Sequence, residues 1–126
     1  MSIGRQIGEF SYEATSVTVS ERADGTREHT INFAGTATGY GSVVATLRVH
    51  VPGPGAKSGR ARWLAHAYLE NGGEAVGDGD GTWTALGGHR WRLRVVQQQN
   101  PDGVLLGDGV IEHSTRSLKG KLYVWD

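Results

Sequence analysis

Apolar and polar residues alternate with a period of two along most of this chain, and no segment sustains a 3.6-residue apolar period. The alternation predicts strands over residues 9–20, 27–37, 42–51, 60–70, 75–86, 89–99, 104–112 and 116–125. In the second of these His29, Ile31, Phe33, Gly35 and Ala37 share one face, and in the third Val43, Ala45, Leu47, Val49 and Val51 do. Turn-forming residues separate the runs, among them Ala23-Asp24-Gly25-Thr26, Asn71-Gly72, Gly87-Gly88 and Asn100-Pro101-Asp102-Gly103. One long loop interrupts them, Pro52 to Gly59, whose two prolines lack the backbone donors an interior strand needs. Strands joined mostly by short turns predict an antiparallel meander, and closing it removes its exposed edges. The expected fold is all-β: one domain over residues 1–126, a single eight-stranded antiparallel up-and-down β-barrel with a ligand-sized interior.

The sixth segment orients the rest. Arg90, Arg92 and Arg94 share one face, so Trp91, Leu93 and Val95 share the other. Burying three unpaired guanidinium groups costs several kcal/mol each, which sends Trp91, Leu93 and Val95 inward. A two-residue Gly87-Gly88 turn then sets Thr84 opposite Trp91 and Asp80 opposite Val95, and opposed residues share a face. A two-residue turn at Asn71-Gly72 sets Ala65 opposite Asp78 and Trp63 opposite Asp80. A Pro101-Asp102 turn sets Asp108 opposite Val95. These registers predict that Asp78, Asp80 and Asp108 enter the lumen and that Gly77, Gly79, Gly81 and Trp83 face outward. A three-residue turn, Asn71-Gly72-Gly73, is the competing register. It groups Arg62, Leu64, His66 and Tyr68 with the aspartates and pairs His66 with Asp78, because a one-residue slip reverses every side chain.

Carboxylates beside tryptophans and aliphatics acquire raised pKa values, which suits a general acid or base. Asp78, Asp80 and Asp108 are therefore the candidate catalytic residues, against the alternative that they sit hydrated at a barrel mouth. Trp63, Trp91, Phe33, Tyr12, His29 and Leu93 are the candidate walls of an apolar substrate pocket, or simply core. The segment GDGDG resembles the start of a calcium loop but lacks the later ligands, and the five histidines show no zinc spacing, so no metal or cofactor is expected.

Composition narrows the class. Thirteen basic and thirteen acidic residues cancel, which argues against a nucleic-acid partner, although the arginines of segments four and six with Trp83 form a basic-aromatic face. The chain has no cysteine and no long apolar run, so a cytoplasmic protein without a membrane span is expected. The 20 dispersed glycines mark turns, bulges and bends.

The glycine-rich strands GTATGYGSV, AVGDGDGTW and LLGDGVIE, with the closing TRSLKGKLYVW, resemble the allene oxide cyclase barrel-like family. That group of calycin-like barrels includes dirigent proteins and bacterial spirotetronate cyclases. The resemblance lies in the pattern over most of the chain, and it carries no residue roles. It implies a barrel that holds an apolar substrate and steers its cyclisation or coupling without a cofactor. The expected function is thus a cofactor-independent cyclase or isomerase acting on an apolar, polyketide-like metabolite. The alternatives are a non-catalytic small-molecule carrier or sensor, and a structural β-domain that self-associates. Barrels of this group often pair, which makes a homodimer one expected form.

Overall fold

The computed structural model describes residues 3–100 and 103–125. Eight strands follow in order: β1 (Ile3–Glu21), β2 (Arg27–Ala37), β3 (Gly41–Val51), β4 (Ser58–Tyr68), β5 (Glu74–Gly87), β6 (Arg90–Asn100), β7 (Gly103–Glu112) and β8 (Ser117–Trp125). Each pairs antiparallel with its neighbours in sequence, and β1 closes on β8, so the sheet is an up-and-down barrel. β1 is long enough to serve twice. It meets β8 from Ile3 to Glu13 and β2 from Phe10 to Glu21.

Inward parity selects the core. Ile31 and Phe33 of β2, Leu47 and Val49 of β3, and Leu93 and Val95 of β6 are buried, each alternating with more exposed neighbours. At one end of the barrel lie the β2–β3 and β4–β5 connections, and at the other those after β1, β3, β5 and β7.

The fifth and seventh strands reverse the faces expected of them, through three one-residue differences in register. Between β4 and β5 the loop is Glu70-Asn71-Gly72, closed by the Leu69 amide donating to the Gly73 carbonyl at 2.9 Å. Asn71 does not supply a positive φ; its side-chain oxygen accepts the Gly73 amide at 2.8 Å, and Gly72 alone turns left-handed at φ +89°. Leu64 therefore faces Asp78 and Trp63 faces Gly79. Between β5 and β6 the turn residues are Gly88 and His89, at φ +63° and +60°, and a register shift between Ala85 and Gly87 adds one residue to β5. Trp83 therefore faces Leu93, and Asp80 faces Val96. The expected Pro101-Asp102 turn lies outside the described residues, but Gln99 pairs with Gly103 and Arg94 with Asp108, again one residue from expectation.

The consequence is an inside-out β5 relative to the sequence reading. Gly77 and Gly79 and the fully buried Trp83 face the interior, and Asp78 and Asp80 face solvent. Gly79 and Gly81 allow the sheet to coil tightly there: a Cβ on Gly79 would overlap the Val96 carbonyl oxygen, and one on Gly81 the Arg94 carbonyl oxygen.

Candidate functional site

The three aspartates belong to the outer wall, where they answer the arginines. Arg62 donates to Asp78 at 2.8 Å and to Asp80 at 3.2 Å. Arg92 grips Asp108 with two bonds, Nε to Oδ1 at 3.0 Å and Nη2 to Oδ2 at 2.7 Å, and Arg94 stands 3.9 Å from the same carboxylate. The hydrogen bond from Arg92, opposed in part by burial, holds the Asp108 carboxyl below its usual range. The expectation that Asp78, Asp80 and Asp108 form a lumenal acid–base site is thereby overturned. The arginine argument for β6 holds: a row of outward guanidinium groups recruits opposite charge from adjacent strands, and that cross-strand pairing was the signal in the sequence. The competing register grouped Arg62, Leu64, His66 and Tyr68 with the aspartates correctly, but on the outer face, and His66 pairs with Val76 instead of Asp78. Trp83 is inside as well, so the outer basic face lacks that aromatic.

The expected pocket walls are inside. Tyr12, Phe33, Trp63 and Leu93 are buried, and Trp91 and His29 are partly so. They divide between two regions. At the end formed by the β5–β6 and β7–β8 turns, the indoles of Trp83 and Trp91 stack at 3.9 Å, and Trp83 Nε1 donates to the His50 carbonyl at 2.9 Å. His29 and His113 approach Trp91 with ring centroids 6.0 and 4.2 Å away, and His113 Nε2 is buried without a hydrogen bond. This end is plugged by aromatic contact.

The remaining interior contains two small cavities of about 20 Å³ each, both bordered by Tyr12, Trp63, Gln97 and Leu122. That is room for a water molecule apiece, so the interior is narrower than the ligand-sized lumen expected. Its polar groups are nonetheless distinctive. Gln97 is 6% exposed, and its side-chain oxygen accepts from Gln99 Nε2 at 3.1 Å. Tyr12 is buried beside it, and burial pushes its pKa well above the ordinary phenol value, so it stays a neutral donor. Gln97 was missed as a site residue although its parity was readable, because Trp91, Leu93, Val95 and Gln97 form one inward row.

Among the described residues no three His, Asp or Glu side chains converge as metal ligands would. The site is defined by neutral donors in an aromatic- and alanine-lined barrel interior. Comparison of the chain with protein-family models, curated proteins and solved structures gives no match.

The plugged end makes stability depend on pH. Burial, the larger cause, lowers the pKa of His29 with a contribution from Arg27, and lowers that of His113 with contributions from His29 and His89. The unfolded chain thus binds protons more readily than the folded one below the usual value of 6.5, and stability falls as pH drops through that value toward the folded pKa values. Asp108 adds a separate loss at lower pH, below its ordinary 3.8, where its pairing with Arg92 is protonated away. Urea unfolding midpoints should decline from pH 7 to pH 5, and the slope should flatten in a His29→Gln/His113→Gln double variant. An unchanged slope would place its source elsewhere.

Proposed function

We propose that this barrel binds a compact, mainly apolar small molecule in the lumen, holding a carbonyl or ether oxygen with the Tyr12 hydroxyl and the Gln97 carboxamide. The observation that carries the reading is that two buried residues bearing neutral donors, Tyr12 and Gln97, border the same two cavities. An apolar residue at either position would fill the interior without a polar group to satisfy. Water satisfies these donors when the lumen is closed, and a ligand oxygen replaces it after side chains shift to enlarge the space.

A carrier or sensor follows directly from such a site. Cyclisation of a bound substrate, the activity implied by the family resemblance, would then rest on confinement of the substrate and on Tyr12 as a neutral donor to a carbonyl. The small cavities favour a second reading, a structural barrel without a ligand.

Calorimetry with acetophenone and its acceptor-free analogue ethylbenzene separates the readings. Lumenal binding predicts that the ketone binds about tenfold more tightly than the hydrocarbon, and that Tyr12→Phe or Gln97→Leu abolishes the difference. A structural barrel predicts saturable binding of neither probe.

A further inference from the structure

We propose that residues Ser16–Glu21 of β1 form an antiparallel edge-to-edge pair with the same segment of a second copy of this chain. This surface is separate from the lumen and does not depend on what the lumen binds. β8 covers β1 only as far as Glu13 opposite Ser117, followed by the Ala14 amide donating to the Arg116 carbonyl at 2.8 Å. On its other side β1 stays paired with β2 to Glu21 opposite Arg27. From Ser16 onward the edge turned away from β2 meets no strand among the described residues.

The side chains carry the mark of the missing neighbour. Val17 stands opposite Ile31 and Val19 opposite His29, in rows that continue to the buried Leu47 and Val49. Val17 is nevertheless 44% exposed and Val19 55%. Exposed edges are usually protected by lysine, proline or a bulge. The segment SVTVS has no charge and no proline, and a register shift between Ala14 and Ser16 lies just before it.

The occupant is fixed by complementarity. About a two-fold axis at Thr18, Val17 lies opposite Val19 of the second copy and Val19 opposite its Val17, while Ser16 lies opposite Ser20. Glu21 lies opposite Thr15, so no like charges meet. An edge whose sequence, SVTVS, reads the same in both directions and opposes its own apolar pairs selects itself.

Opposed residues of an antiparallel pair lie at a Cα separation that a disulfide spans, and the native chain has no cysteine. Thr18→Cys should therefore oxidise to a covalent dimer, and a control, Thr82→Cys on the opposite wall, should not. Sedimentation of the wild type should show a concentration-dependent dimer, weakened about 100-fold by Val17→Lys/Val19→Lys. Three outcomes overturn the proposal: a wild type monomeric at every concentration, a dimer indifferent to the two lysines, or Thr18→Cys cross-linking no faster than the control.

Discussion

A Gly81→Val variant will fail to form the barrel. Gly81 stands opposite Val95, and a Cβ there would lie on top of the Arg94 carbonyl oxygen and crowd the backbone of Val95. The obstructing atoms are main chain in a hydrogen-bonded ladder, so relief requires parting β5 from β6. Overpacking that flexible side chains absorb costs about 1–3 kcal/mol, but a clash with main chain exceeds this and approaches the total stability of a small domain, about 5–15 kcal/mol. Circular dichroism should show loss of the native β spectrum, while Thr82→Val, one residue away on the exposed face, should melt within a few degrees of wild type. A folded Gly81→Val protein with a near-native melting temperature would mean that β5 does not present this face to the interior.

Trp83→Ala is the second large expected effect. Trp83 is fully buried, stacks on Trp91 and donates to the His50 carbonyl. Truncating a buried tryptophan costs about 3–5 kcal/mol, and the lost stack and unpaired carbonyl place this case near the upper end. Urea unfolding followed by circular dichroism should give about 4–5 kcal/mol of destabilisation for Trp83→Ala and clearly less for Trp83→Phe, which keeps an aromatic ring against Trp91. A loss below about 0.5 kcal/mol would be that of a surface position.

These two residues show where the sequence was readable and where it was not. The eight strands and their closure follow from period-two alternation, and the inward row Trp91, Leu93, Val95 follows from the arginines between them. Both signals are summed over many residues. Register is different, because one residue at a turn decides it for a whole strand. Asn71-Gly72 looks like a two-residue turn, but the Asn71 side chain bonds the Gly73 amide and the loop takes three residues. Gly87-Gly88 looks like the next turn, but His89 accepts a positive φ and the turn moves by one, with the extra residue taken up in β5. Asp78 and Asp80 hung on those positions and Asp108 on the β6–β7 register, which differs by one residue as well, and all three left the lumen. Tyr12, Phe33, Trp63 and Leu93 kept their place because their parity came from their own strands.

Local charge carried a correction that the turns did not. Arg62 and Arg92 occur on outward rows, and Asp78, Asp80 and Asp108 are the acids within reach on adjacent strands. Requiring a counter-charge for each outward arginine would have turned β5 the right way. The same step would have left Gln97 as the polar residue of the inward row.

The central claim is that the barrel interior presents neutral donors, Tyr12 and Gln97, to a bound acceptor. The most direct measurement is the side-chain amide signal of Gln97 in ¹⁵N–¹H spectra, identified by its disappearance in Gln97→Leu, during titration with acetophenone. The account predicts a saturable shift of that signal in wild type, reduced in Tyr12→Phe and absent with ethylbenzene. A Gln97 amide that stays in place while acetophenone saturates another surface, or while nothing binds at all, would contradict it.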